Sequence, residues 1–184
     1  MTIDEVKPFS LRRNVSQARE EVWRSRGGVD AYTGKKRRGL EDEIQNVDHV
    51  IEIQMVEHAT FDTLNRNIEL KNRMRDVINS SENLNVTSRA INQAKKGPFT
   101  AALNRLRKRD GSLREVSVEQ LARSGRARWL VDSGVWCNIE KEIVQSYDQV
   151  ENTLSNQRLT RAQTKIIEES ADQIHELLVK IKIF

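Results

Sequence analysis

The sequence predicts an α+β fold that is mostly α-helical, and three observations support this class. Hydrophobic residues recur at helical spacing along much of the chain, and the clearest stripe runs over residues 159–183. The main run rich in Val and Ile, which is typical of a strand, is short and lies within residues 43–54. The 184 residues are 37% hydrophobic and 32% charged, which favours a folded domain with a modest core over a disordered chain.

In the first half of the chain, the sequence predicts helices around one short strand. Helices are expected to begin where a capping residue precedes an apolar stripe and to end at glycine or proline. In chain order these signals predict a helix over 16–26, a short strand and turn over 29–34, a basic loop over 35–39, a strand in the second half of 43–54 and a mostly helical segment over 55–78.

The second half of the chain is expected to be almost entirely helical. After a turn and a short bridge, Thr87 or Ser88 can cap a helix that we expect to stop at Gly97–Pro98. The remaining helices are predicted over 100–109, 118–123, 129–154 with a break at Ser133–Gly134, and 159–183. The last stripe either closes the core or forms a dimer interface. Asp110–Gly111 is the best boundary, which predicts a region 1–110 and a helical region 111–184 for DNA contact or dimerisation.

Positive charge is clustered, which indicates a polyanionic partner. The net charge is only +4, but residues 95–128 contain ten Lys or Arg and three acidic residues. The alternative is an ordinary solvated surface. The residues we expect to contact DNA are Lys35, Lys36, Arg37, Arg38, Lys95, Lys96, Arg105, Arg107, Lys108 and Arg109.

Two classes of protein are disfavoured by what the sequence lacks. Its single cysteine, Cys137, cannot form an internal disulfide or a cysteine-based zinc site. No apolar run reaches the roughly 20 residues that span a bilayer, and the first ten residues do not resemble a signal peptide. We therefore expect no membrane partner and a cytoplasmic or nuclear location.

The adjacent residues Asp48 and His49 are the strongest indication of chemistry. A carboxylate can bind a divalent metal that neutralises charge on a departing oxygen, and a neutral histidine can activate water. These are the requirements of phosphodiester hydrolysis. In a regular strand, however, neighbouring side chains point to opposite faces, so a bulge or a strand end is needed for both to serve one site.

Two downstream asparagines extend this pattern. Asn92 would lie early in the helix that begins near Ser88, and its amide oxygen suits a hard cation. The amide of Asn83 can tie its loop to the backbone around the histidine, although Asn79 or Asn85 could take that role instead.

These residues resemble the signature of the His-Asn-His (HNH) nucleases. Asp48-His49-Val50-Ile51, Asn83-Leu84 and the segment Ile91-Asn92-Gln93-Ala94-Lys95-Lys96-Gly97 match its three parts in order. Upstream, residues 30–35 are similar to the Cys-x-x-Cys-Gly-Lys knuckle of many members, with Asp30 and Thr33 at the cysteine positions. The resemblance covers about residues 29–97, and the gap between His49 and Asn83 is longer than usual.

The resemblance implies a small ββα-metal core and a metal-dependent DNA endonuclease. His49 would be the general base, Asp48 and Asn92 would bind Mg²⁺ or Mn²⁺, and Asn83 would be the scaffolding residue; no structural zinc is expected. Chain size slightly favours a type II restriction enzyme, and cutting both strands would suit a homodimer. The alternatives are a non-catalytic nucleic-acid-binding protein, or a helical assembly protein, with a nuclease-like fold.

Overall fold

The protein consists of eight α-helices and one small antiparallel sheet in the part of the chain that a computed structural model describes, residues 9–36, 45–107 and 116–184. The α+β, mostly α-helical class is thereby confirmed. In chain order the elements are α1 (Arg19–Ser25), β1 (Gln45–His49), α2 (Ile53–Leu64), α3 (Ile68–Ile78), β2 (Leu84–Ser88), α4 (Arg89–Arg107), α5 (Val118–Arg123), α6 (Arg128–Asp132), α7 (Val135–Ser155) and α8 (Arg161–Lys180).

Strand β1 lies earlier than the sequence suggested, since it ends at His49 and Ile53 already begins α2. The apolar run after His49 has strand propensity, but its backbone bonds elsewhere. The amide of Val50 donates to the carbonyl of Asn83 at 2.8 Å, and the amide of Ile51 donates to the Asn83 side chain at 2.7 Å. Val50 and Ile51 are buried in the main core, so tertiary contacts override local propensity here.

Helix α4 continues through Gly97–Pro98, so the expected stop at that pair is wrong. Proline removes one backbone hydrogen bond from a helix interior. Burial offsets this loss, because Pro98, Phe99 and Leu103 all lie in the interior. The ring of Phe99 stacks on that of Trp136 with centroids 5.9 Å apart. Apolar packing of the second half of α4 therefore outweighs the helix-breaking signal.

Helix α8 closes the main core, which decides between the two expected uses of its apolar stripe. Its inward face packs against α2, and the hydroxyl of Thr63 donates to Gln173 at 2.7 Å across that contact. Thr160 and Gln163 form a capping box at the start of the helix. The core holds side chains from both sides of Asp110–Gly111, a pair that lies outside the described residues.

The two faces of the sheet differ in polarity. On one face, Val47, Leu84 and Val86 pack with Val22 and Trp23 of α1 in a small separate apolar cluster. The other face is polar and meets α4. None of the helices within the described ranges is long and apolar enough to cross a membrane.

Candidate active site

Strands β1 and β2, with α4 directly after β2, form a ββα unit. The strands are antiparallel, and the register pairs Asp48 with Asn85 and His49 with Leu84. Helices α2 and α3 are inserted between the strands, which accounts for the long gap between His49 and Asn83. The unit therefore carries Asp48 and His49 at the end of β1, Asn83 just before β2, and Asn92 in the first turns of α4.

The regular register separates the first two candidate residues. His49 and its partner Leu84 lie on the face that α1 covers, whereas Asp48 and Asn85 lie on the polar face toward α4. The sequence required a bulge or a strand end for both to serve one site. No bulge occurs in the register, so of the two conditions only the strand end is met: His49 is the last residue of β1.

Asp48 is buried and held by two donors. The hydroxyl of Tyr32 donates to Asp48 Oδ2 at 2.8 Å, and Lys95 Nζ lies 2.6 Å from the same oxygen. Burial raises the pKa of Tyr32, and the neighbouring Asp48 carboxylate raises it further, so the phenol keeps its proton. Asp48 thus accepts one neutral and one charge-assisted hydrogen bond.

Lys95 is buried and connects α4 to β1 and to the turn before α2, which differs from its expected role as a DNA contact. Its ammonium also lies 3.0 Å from Glu52 Oε1 and donates to the carbonyl of His49 at 2.5 Å. Burial alone would lower the pKa of Lys95, but the Asp48 and Glu52 carboxylates outweigh it and raise that pKa. A fully buried ammonium cannot reach a phosphate, so the structure contradicts the expected DNA contact by Lys95.

Glu52 is the second carboxylate of this buried ion cluster. Burial raises its pKa, and the charge of Lys95 opposes that shift. Sequence reasoning considered Glu52 only as a partner for the imidazole of His49 or as a solvent-facing residue. The buried Asp48–Lys95–Glu52 cluster was missed because its members are distant in the chain or on different elements.

Asn83 ties the loop after His49 to the structure around it. Its Oδ1 accepts from the amide of Ile51 at 2.7 Å, and its Nδ2 donates to the carbonyls of Ile51 and Ile78 at 3.1 and 3.0 Å. The side chain is fully buried. This geometry is what a scaffolding asparagine requires, because it fixes the backbone that follows the histidine.

Asn79, one of the alternatives to Asn83, has a separate role beside the imidazole. Its Nδ2 donates to the carbonyls of Leu11 and Arg75 at 2.8 and 2.7 Å. Since both carbonyls only accept, the amide orientation is fixed, and Oδ1 faces His49 Nε2 at 2.9 Å. His49 Nε2 therefore carries hydrogen and donates, and in the neutral ring Nδ1 holds the free lone pair.

His49 is uncharged at neutral pH, as a general base has to be. Burial lowers its pKa, and this outweighs the opposing effects of the Asn79 hydrogen bond and the Asp48 carboxylate. The imidazole is therefore neutral at pH 7. A neutral ring with a fixed tautomer can accept a proton at Nδ1.

Asn92 has an unusual environment for an amide. It is only 4% exposed, and its Oδ1 is buried without a hydrogen-bond partner. Asn92 lies three residues before Lys95, so the two share the helix face that meets β1. A buried acceptor without a partner costs free energy unless something binds it. Its oxygen and the Asp48 carboxylate are the donor types that Mg²⁺ prefers.

This pair of oxygen donors fits a cation in chemistry, but Asp48 already pairs with Lys95. Within the described residues, no group of three or more His, Cys, Asp or Glu side chains is arranged to hold a metal. A cation at Asp48 and Asn92 would therefore have two protein ligands and take its other ligands from water or substrate, as Mg²⁺ commonly does.

The segment that resembles the cysteine knuckle is held by a buried carboxylate. Thr33 Oγ1 donates to Asp30 Oδ2 at 2.9 Å, so the residues at the two cysteine positions bond each other directly. Asp30 also accepts from the amide of Tyr32, from Asn85 Nδ2 and from Thr87 Oγ1. This Asp30 network fastens the 29–36 segment to β2.

The remaining predicted DNA contacts are divided between surface residues and residues outside the described ranges. Lys35, Lys36, Lys96, Arg105 and Arg107 are exposed. Arg37, Arg38, Lys108 and Arg109 lie outside the described residues.

Searches against protein-family models, curated proteins and solved structures found no match to this chain.

Proposed function

We propose that this protein is a metal-dependent DNA endonuclease of the HNH, ββα-metal type. The observation that carries the proposal is the ββα unit itself, in which a tautomer-fixed histidine ends β1, Asn83 holds the loop behind it and α4 brings Asn92 and its unpartnered oxygen to the same unit. Each of the three parts has a physical role in phosphodiester hydrolysis.

In the proposed reaction, His49 Nδ1 removes a proton from water while the water oxygen forms a bond to phosphorus. The bond between phosphorus and the departing sugar oxygen breaks, and solvent supplies the proton that this oxygen takes up. Asn79 holds the ring from the other side, so that the basic nitrogen keeps one direction. The substrate phosphate has to bind at the end of β1, because that is where the faces that carry His49 and Asp48 meet. Exposed cations such as Lys96 and Arg105 supply contacts to the DNA backbone.

Asp48 and Asn92 would hold the Mg²⁺ or Mn²⁺. Such an ion neutralises charge on the scissile phosphate and the departing oxygen. Lys95 neutralises Asp48 in this structure, and Glu52 provides an alternative carboxylate for that ammonium. Homodimer formation, a restriction role and a cytoplasmic or nuclear location stay predictions; since the stripe of α8 is used in the core, it no longer argues for a dimer.

The test is plasmid nicking with Mg²⁺ or Mn²⁺. We expect His49→Ala to lower the cleavage rate about 100-fold or more, the contribution of a general base. His58→Ala is the control, because His58 is another histidine that lies on α2, outside the ββα unit, and is exposed. Circular dichroism should show that both variants are folded. Equal cleavage by the wild type and His49→Ala would contradict the role of His49.

The second candidate is a nucleic-acid-binding protein without catalysis. The buried Asp48–Lys95–Glu52 cluster favours it, because an internal ammonium already satisfies the carboxylate that a metal would need. The same assay separates the two functions. DNA binding without nicking in either metal, on supercoiled, linear and branched substrates, would support this candidate and exclude the nuclease.

A further inference from the structure

An open groove lies beside the ββα unit, between the 32–35 loop, the first turns of α4 and the corner between α6 and α7. It has a cavity volume of about 770 Å³, within the range of small-ligand sites. Trp129 forms part of one wall, and Ser88, Arg89 and Gln93 line the α4 side. Tyr32, which donates to Asp48, also lines it, so the groove adjoins the candidate active site.

Trp129 is the most exposed of the three tryptophans. Its side chain is 45% exposed, whereas Trp23 is 6% and Trp136 1% exposed. Trp129 also borders a second groove, which runs along α4 past Gly97 to Arg126. One indole therefore separates two neighbouring depressions on the surface of α4.

The aromatic ring of Trp129 and the cations near it complement the base and the phosphate of a nucleotide. Arg89 and Lys35 line the first groove and Arg126 lines the second, and all three are exposed. Among the described residues that line these grooves, none is acidic. An exposed aromatic ring flanked by cations is the combination that binds unpaired bases, since the ring stacks on the base and the cations meet the phosphates.

We propose that the groove at Trp129 binds an unpaired nucleotide of DNA, with its base stacked on the indole and its phosphate near Arg89 and Lys35. The inference rests on the proposed function and adds the substrate form: DNA with a single-stranded or displaced segment next to the cleavage site. In a regular duplex the bases are stacked on each other, so their faces are not available to Trp129.

The structure offers a direct optical test. The sequence has three tryptophans, and only Trp129 is substantially exposed, so base stacking should quench its fluorescence alone. We would titrate the full chain with a single-stranded oligonucleotide and with its duplex, in EDTA so that no cleavage occurs. We expect strong quenching by the single strand, little by the duplex, and loss of the quenching in Trp129→Phe.

Affinity is measured separately by anisotropy of a labelled strand. Trp129→Ala should weaken single-strand binding about tenfold, a typical contribution of one stacked base. Phe61→Ala is the matched control, because Phe61 is also 45% exposed but lies on α2, away from both grooves. Arg89→Gln should weaken binding and reduce its salt dependence, whereas Arg73→Gln on α3 should change neither.

The outcomes distinguish this inference from the proposed function. Binding in EDTA requires no cleavage, so a stacking result stands even if no DNA is nicked. If Trp129→Ala binds single strands as tightly as the wild type, or if duplex quenches Trp129 equally well, the groove is not a site for unpaired nucleotides. A clear preference for an RNA strand of the same sequence over DNA would overturn the choice of DNA.

Discussion

The tautomer of His49 follows from hydrogen bonds that do not involve the imidazole. Asn79 is oriented by its bonds to two backbone carbonyls, so only its oxygen is left for His49 Nε2. Burial then keeps the ring neutral by lowering its pKa. Asn79, which the sequence offered only as an alternative scaffolding residue, thereby sets which nitrogen of His49 can accept a proton.

Substitution of Asn79 should move the pKa of His49 in two directions. Asn79→Ala removes the hydrogen bond that favours the charged ring, so the pKa falls further. Asn79→Asp places a carboxylate against Nε2 and should raise the pKa. The measurement is an NMR titration of the three histidines, in which His58 and His175 serve as internal controls.

The lowered pKa of His49 makes the folding stability of the wild-type protein depend on pH. The folded pKa of His49 lies below the value of about 6.5 in an unfolded chain. The unfolded state therefore binds more protons between these values, and the contribution of His49 to stability is lost as pH falls through that window.

The pH dependence of cleavage should follow the pKa of His49, because only the neutral ring can accept a proton. The rate should begin to fall at a higher pH in Asn79→Asp than in the wild type. An acid limb that does not move would separate His49 from catalysis.

At the scale of elements, the buried ion cluster fixes how α4 packs on β1. Lys95 comes from α4, Asp48 from β1, and Glu52 from the turn before α2. The raised pKa of Lys95 keeps its ammonium charged at neutral pH. Because all three groups are nearly inaccessible to water, their interactions are little screened by salt.

Replacing Lys95 should test this role. Lys95→Met keeps most of the side-chain volume but leaves two carboxylates buried without a cation, which should lower the free energy of unfolding by about 3 to 5 kcal/mol. In this variant the charge of Lys95 no longer opposes the effect of burial on Glu52, so the pKa of Glu52 rises further and its carboxylate takes up a proton more readily in the folded state. The loss of stability should accordingly be smaller at pH 5 than at pH 7, as measured by urea denaturation.

The neighbouring Lys96→Met is the control for that experiment. Lys96 is exposed, so its replacement should change stability by less than about 0.5 kcal/mol. A similar small change in Lys95→Met, or a loss that does not depend on pH, would mean that the cluster does not hold α4 in place.

Local signals in the sequence predicted several elements well, and tertiary contacts decided the others. The helix predicted over 118–123 is α5, which Ser117 caps by accepting from the amide of Gln120, and the predicted break at Ser133–Gly134 does separate α6 from α7. The end of β1 and the passage of α4 through Pro98 depended on Asn83 and on core packing, which no local window contains. The same holds for the site: Asp48, His49, Asn83 and Asn92 stood out as residue types, but their partners Tyr32, Asn79 and Lys95 could not be read from spacing.

At the scale of the whole molecule, one core joins the ββα unit to the C-terminal helices. Helix α8 packs on α2, and α7 contacts α3. Arg26 donates to the carbonyl of Leu84 at 2.7 Å and pairs with Glu142 of α7 at 2.5 Å, so it links the sheet to the C-terminal part. The two regions expected on either side of residue 110 therefore share both apolar and polar contacts.

Because of this shared core, a defect in α8 should destabilise the distant sheet. Leu178 is buried in the main core, so Leu178→Ala should lower the free energy of unfolding by about 2 to 5 kcal/mol. If the molecule unfolds as one unit, hydrogen exchange at the amides of β2 should lose the same protection as those of α7. Val179→Ala is the control on the same helix, since Val179 is 40% exposed and should change stability by less than about 0.5 kcal/mol. Full protection of β2 in Leu178→Ala, with protection lost only in α7 and α8, would instead divide the protein into two units that unfold separately.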